Sequence, residues 1–145
     1  MLHKQMLSQQ QKLGRIQPVN AIEMHQRIDA ELKQLNKLQQ RQTSYLNQYD
    51  QLFRLITVWL LVQGFDLTNH QPHQVLKSVC SLQCPDVEVE RMIQLRHQLK
   101  KGMWSPNQVL DTAALSICLN HFEAFLQAYV LVPKESFQAT LHLNP

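Results

Sequence analysis

The chain has 145 residues, a net charge of +3 at pH 7 and 44% hydrophobic residues, which suits one domain with a sizeable core. Three glycines, six prolines and 21 glutamines favour long helices over many short strands, which need more turn residues. We therefore predict an all-α fold, a bundle of about five helices. The mild charge excludes the dense basic surface from which nucleic-acid binding is evident by charge alone.

The predicted organisation is an N-terminal helical arm (residues 1–18), a single helical-bundle domain (19–132) and a C-terminal tail (133–145). The N-terminus has neither the apolar stretch nor the small-residue cleavage site of a secretory signal peptide. The densest apolar run, 52–62, contains Arg54 and is shorter than the roughly 20 residues that cross a membrane. We expect a cytoplasmic protein without a membrane partner.

The second predicted helix follows the arm and extends from Asn20 to about Arg41. Asn20 is an N-cap residue, and Glu23 stands three positions later in capping-box spacing. One apolar stripe follows the 3.6-residue period: Ile22, Met24, Ile28, Leu32, Leu35 and Leu38. A stripe this regular also suits pairing with a partner helix.

The next helix is predicted from Tyr45 to about Gln63, with Thr43 and Ser44 as capping residues. Its apolar content rises to a nearly continuous run over 55–62, which indicates the central helix of the core. No helix-breaking residue lies between 39 and 42, so the sequence leaves open whether this helix continues the previous one.

Residues 65–72 are predicted to form a loop, which leads into a short helix over about 73–82. A further helix is predicted from Asp86 to Lys101, with acidic residues near its start and basic residues at its end. Ser105 and Pro106 begin the last helix, which extends to about Val130. Its apolar surface is too wide for one neighbouring helix, so it is central or it dimerises.

Cysteine and histidine spacing does not indicate a metal site. The chain contains three cysteines, Cys80, Cys84 and Cys118. They form no CxxC pair, and Cys118 fits a small buried hydrophobic residue. His70 and His73 lie three apart near Asp66, but no further ligand completes a set at metal-binding spacing. We predict neither a metal nor a cofactor.

A cationic segment at 90–104 is the strongest candidate for function. It contains Arg91, Arg96, His97, Lys100 and Lys101, and Trp104 follows. Basic residues near a helix end also complement the helix dipole, and Gly102 is a suitable residue after the helix end. Trp104 could stack on a base, although such a residue also anchors loops to a core.

In the order of its elements, the range 45–130 resembles the HEPN domain, a helical bundle associated with nucleotides and RNA. The core helix at 49–65, the loop at 69–73, the short helix behind it and the segment 95–102 look like that family's successive blocks. The resemblance implies a homodimer. In ribonuclease members it also implies a composite site at the dimer interface, built from an Arg, a polar residue directly after it and a His, with four to six residues between the Arg and the His.

The match to that motif is incomplete. Arg96 followed by His97 fits the start, but the terminal His is missing. The positions where it is due hold Lys101, Gly102 and Met103. A second frame, from Arg91 to His97, has the right gap but places apolar Met92 where the polar residue belongs. RNA cleavage through the 2′-hydroxyl needs a base and an acid, and a lysine is protonated near neutral pH.

The sequence thus predicts a HEPN-like module, non-catalytic or weakly active, in a toxin, defence or mobile-element context. Its expected partners are a second copy of the chain and RNA or a protein such as an antitoxin. The candidate catalytic residues are Arg96, His97 and Lys101, or Arg91 and His97 in the second frame, and the candidate binding residues are Arg91, Lys100 and Trp104. Two alternatives remain open: a helical adaptor without a nucleic-acid role, and a metal-independent HEPN ribonuclease.

Overall fold

The computed structural model describes residues 2–103 and 112–131. These ranges contain α1 (Leu2–Lys12), β1 (Ile16–Pro18), α2 (Ala21–Gln39), α3 (Tyr45–Val62), β2 (Phe65–Leu67), α4 (Pro72–Gln83), α5 (Val89–Lys100) and α6 (Ala113–Leu131). The predicted all-α helical bundle is confirmed. No helix in these two ranges is both long and apolar enough to span a membrane. The predicted helix start at Ser105 and Pro106 and the tail at 133–145 lie outside the described residues.

Helix α3 is the element on which the others pack. It contacts α2, α4, α5, α6 and β2. Every residue from 55 to 62 is buried, and one turn earlier Tyr49 and Leu52 are fully buried as well. A helix that is apolar on all sides must be covered on all sides, so the prediction of a central core helix is confirmed.

Helices α2 and α3 are separate and antiparallel, which answers the question that the sequence left open. Asn20 accepts a hydrogen bond from the backbone N–H of Glu23 at 2.8 Å, and Ser44 accepts one from the N–H of Asn47 at 3.1 Å. The amide of Asn47 in turn donates to the carbonyl of Leu38 at 2.9 Å. These bonds satisfy backbone groups that helix ends leave without partners.

The apolar stripe of α2 faces the interior of the chain except at Ile22, which is exposed. Met24 and Ile28 pack with Val58 and other residues of α3, and Leu35 belongs to the main core. The face that suggested a partner helix is therefore covered by the chain's own α3. This removes the observation that supported the helical-adaptor alternative.

Two segments that the sequence assigned to an arm and a loop form a small antiparallel sheet. Ile16 of β1 pairs with Leu67 of β2, and Pro18 pairs with Phe65. Leu7 of α1 and Ile16 are buried in the main core, so the segment 2–18 packs against the rest of the bundle. Strands of three residues carry almost no periodic signal and depend on pairing with a distant segment, which explains why they were not predicted.

Helix α5 begins at Val89, three residues later than predicted. The backbone N–H of Val87 donates to the carbonyl of Cys84 at 3.2 Å, so a turn precedes the helix and holds Asp86 at the surface. The first turn of α5 is tied to α4 instead by an ion pair between Glu90 and Lys77. Acidic Glu90 also complements the positive end of the helix dipole.

Two arginines and two carboxylates form a buried cluster between α2, α3 and β2. Arg27 binds Asp66 at 2.7 Å and Glu31 at 2.9 Å, and Arg54 binds Glu31 at 3.0 Å. The hydrogen bond to Asp66 raises the pKa of Arg27 above its ordinary value. Glu31 is only 3% exposed, and a charge buried this deeply is tolerated because it is paired.

We predict that Glu31→Gln destabilises the protein, because it leaves Arg54 and Arg27 facing a neutral group. Breaking a buried ion pair costs about 3–5 kcal/mol, and the partial exposure of both arginines reduces our expectation to about 2 kcal/mol. Asp29→Asn, at an exposed position of the same helix, is the matched control and should change stability by less than about 0.5 kcal/mol. Urea denaturation of both variants measures the difference, and equal stabilities would contradict the role of Glu31.

Candidate functional site

A cavity of about 320 Å³ opens between the end of α2 and the helices α3, α4 and α5. Its lining contains four cationic side chains, Lys37, Arg41, Arg54 and Arg96. A single carboxylate, that of Asp50, lies among the described lining residues. We call this cavity the basic pocket. Its excess of positive charge favours anions.

The pocket is organised around Tyr49 of α3. Its ring is fully buried and lies under the guanidinium of Arg96, whose Cζ is 4.9 Å from the ring centroid. Its hydroxyl lies 3.1 Å from Nδ1 of His73. A cation over an aromatic face is attracted by the ring quadrupole, so one tyrosine positions a side chain from α5 and another from α4.

The environment of His73 disfavours its charged form. Burial lowers its pKa and the nearby Arg96 lowers it further, while Asp50 opposes both effects. Its ring also packs against Phe53, with the centroids 5.6 Å apart. Since Nδ1 is engaged by Tyr49, the other ring nitrogen is the one left for a ligand.

The backbone before His73 has an unusual conformation. Gln71 has φ +47°, in the left-handed region that non-glycine residues rarely adopt, and it directly precedes Pro72. Its side chain accepts a hydrogen bond from Arg15 at 2.9 Å. Strained backbone of this kind persists only where surrounding contacts support it, and here it starts the helix that carries His73.

Arg96 has a hydrogen-bond donor that is not used within the described part of the chain. Its Nε is buried and has no partner among the described residues. Buried polar groups are nearly always hydrogen-bonded, so an orphaned one calls for an explanation. A guanidinium that lines a cavity and has a spare N–H is suited to an oxyanion ligand.

The pocket contains one of the cations predicted as functional, and the others lie elsewhere. Arg96 lines it, whereas His97, Lys100 and Lys101 are exposed and do not belong to its lining. Arg91 lines a different surface depression, together with Lys77 and two glutamates. Arg91 and Arg96 thus lie in different depressions, and His97, which belongs to both frames, lines neither of them, because helical residues point in directions set by steps of about 100°. Trp104 lies outside the described residues.

Sequence reasoning did not find the partners of Arg96. His73 was considered as a metal ligand beside His70 and Asp66, but His70 is exposed and Asp66 is bound to Arg27. Lys37 belonged to an apparently ordinary polar helix face. These residues carried no local signal, since only the packing of four elements brings them to one cavity.

The cysteines do not contribute to the pocket. Cys80, Cys84 and Cys118 are free thiols and buried. The hydrogen bonds from Cys80 and Cys84 lower the pKa of Cys118, while burial raises the pKa of Cys84 to about 12. Among the described residues no three His, Cys, Asp or Glu side chains are arranged to hold a metal ion.

Comparison with family models, with curated proteins and with solved structures finds no match to this chain. The HEPN resemblance therefore stays a prediction, and we infer function from the basic pocket.

The lowered pKa of His73 predicts a pH dependence of stability. Below about pH 6.5 the unfolded chain binds more protons than the folded one, so the free energy of unfolding decreases until the lowered pKa of His73 is reached. Facing the ring are Tyr49, Asp50 and Phe53 of α3 and Arg96 of α5.

His73→Gln should therefore lose less stability than the native chain when the pH is lowered from about 7.5 to about 5.5. The remaining histidines are common to both proteins and cancel in this comparison. Urea denaturation at the two pH values measures it. Equal losses in the two proteins would show that His73 titrates as it does in the unfolded chain.

Proposed function

We propose that the chain is a HEPN-like helical module that binds RNA through its phosphate groups, with weak or no catalytic activity, in a toxin, defence or mobile-element context. The observation that carries the proposal is the buried Nε of Arg96, which has no partner among the described residues, in a pocket where Lys37, Arg41 and Arg96 face the carboxylate of Asp50. Arg54 also lines the pocket but is paired with Glu31. RNA is favoured over other anions because the partly exposed ring of Phe53 also lines the pocket, and aromatic side chains are suited to stacking bases or sugars.

The arrangement of the cations supports binding over a purely structural role. Lys37 lies in the last turn of α2, where a cation stabilises the negative end of the helix dipole. Arg96 lies before the last turn of α5, so the helix dipole does not account for it, whereas Arg54 has a structural partner in Glu31. Side chains from different elements converge on one cavity, as expected of a site.

The proposal includes a homodimer, which the HEPN resemblance implies. Ile117 and Val130 are exposed apolar residues of α6, but they stand about 140° apart around the helix and do not form one patch. The homodimer is therefore proposed from the resemblance alone. The mass of the protein in solution tests this part of the proposal.

We predict salt-sensitive binding of a labelled single-stranded RNA that depends on Arg96. Each phosphate contact in single strands contributes about 0.7 to the slope of log affinity against log salt. Arg96→Gln should weaken binding about ten-fold or more, because a charge-assisted hydrogen bond contributes about 1.5–3 kcal/mol.

The matched control for this experiment is Lys33→Gln, which removes a positive charge from α2 one turn before Lys37. Lys33 is exposed and is not part of the pocket lining. Binding measured by fluorescence anisotropy at two salt concentrations should change little in this variant. RNA binding that is insensitive to salt, or that weakens equally in both variants, would remove the proposal.

We also predict that the purified protein does not cleave RNA efficiently. Within the described residues the pocket contains one imidazole, that of His73, whereas cleavage through the 2′-hydroxyl needs both a base and an acid. Tyr49 does not supply the second group, because burial raises its pKa above the ordinary value. Loss of one such group typically costs about 100- to 10,000-fold in rate.

A gel-based assay with labelled RNA tests this prediction, with and without divalent ions. Rapid cleavage that disappears in His73→Gln and persists in Lys101→Ala would establish the ribonuclease alternative with His73 as its base. Rapid cleavage that disappears in Arg91→Ala instead would restore the second motif frame.

A further inference from the structure

The charge of the basic pocket exceeds what an internal phosphate of RNA requires. Arg54 is neutralised by Glu31 at 3.0 Å, as part of the buried cluster in which two arginines match two carboxylates. This leaves Lys37, Arg41 and Arg96 facing Asp50, so about two positive charges remain uncompensated. An internal phosphodiester carries one negative charge, whereas a phosphate bound through a single ester carries about 1.5 to 2 at pH 7.

The position of the spare donor indicates how a ligand enters. Tyr49 is fully buried, and Arg96, whose guanidinium lies over the Tyr49 ring, has a buried Nε without a partner among the described residues. We take these two side chains as the floor of the pocket, because burial is greatest there. A ligand must bring its oxygen to the bottom of the cavity to accept that hydrogen bond. A terminal phosphate can do so directly, whereas an internal phosphate would have to bring the sugars on both sides with it.

The exposure of the lining side chains increases from the bottom of the pocket to its mouth. His73 is half-buried, and the ring nitrogen that does not contact Tyr49 can donate to a phosphate oxygen. Lys37 and Arg41 are exposed at the end of α2, where long flexible cations can close over a ligand that has entered. Phe53 provides an apolar wall for the sugar or base that follows the phosphate.

We propose that the basic pocket recognises a phosphomonoester, namely the terminal phosphate of an RNA strand or of a mononucleotide. This inference rests on the proposed phosphate-binding function and specifies its ligand. Arg96 binds the phosphate at the floor, and Lys37 and Arg41 neutralise it at the mouth. No bond is made or broken in this recognition.

The test uses the full chain and three unlabelled RNA strands of one sequence as competitors against a labelled RNA. One strand has a 5′-phosphate, one has a 3′-phosphate, and one has hydroxyls at both ends. We expect one phosphorylated strand to bind about ten-fold tighter than the hydroxyl strand, as a further charge-assisted contact contributes about 1.5–3 kcal/mol. A fourth competitor, adenosine 5′-monophosphate, distinguishes a free nucleotide from a strand end. Competition by it indicates a free nucleotide ligand, and a lack of competition indicates a strand end.

Two variants test whether the preference for a phosphorylated strand arises in the basic pocket. Arg96→Gln should abolish the difference between the phosphorylated and hydroxyl strands. Arg41→Gln changes an exposed side chain outside the helices, so it should leave the fold intact and reduce the difference at least three-fold, in line with the loss of an exposed charge contact. Lys33→Gln should preserve the full difference.

Two results would overturn the inference, and they differ in what they leave standing. Equal affinity for all three strands, still dependent on Arg96, would show that the pocket binds internal phosphates and would leave the proposed function in place. Absence of binding to any strand or nucleotide would overturn the inference and the proposed function together.

Discussion

The contact of Tyr49 with Arg96 and His73 is the constraint on which the candidate site depends. Tyr49 lies in the most buried helix of the bundle, so its ring has little freedom to move. Its face holds a guanidinium from α5 and its hydroxyl holds an imidazole from α4. A site built on a rigid core helix retains its geometry without a ligand, which lowers the entropy cost of binding.

The buried ionic cluster provides the second constraint, since it fixes the helix that supplies the mouth of the pocket. Glu31 of α2 binds Arg27 on the same helix and Arg54 on α3, and the pair with Arg54 fixes the register between the antiparallel helices. With that register, the end of α2 places Lys37 beside the pocket. The same cluster neutralises Arg54, so it determines how much charge is left for a ligand.

Much of the fold could be predicted from the sequence, because its signals are local. The cap at Asn20 and the apolar run at 55–62 specified two helices that the structure confirms. The sheet at 16–18 and 65–67 could not be predicted, because each strand depends on a partner about 50 residues away. The pocket was hard to predict for the same reason. Arg96 was recognisable within a cationic segment, whereas His73 acquires its role only through tertiary packing.

The most direct test of a phosphate-binding pocket is the pKa of His73 measured by NMR with and without saturating single-stranded RNA. A phosphate bound beside the imidazole favours its protonated form. We therefore expect RNA to raise the pKa of His73 more than that of any of the other six histidines. If saturating RNA leaves the pKa of His73 unchanged but shifts that of an exposed histidine such as His97, RNA binds elsewhere on the surface. That result would contradict phosphate binding in the basic pocket.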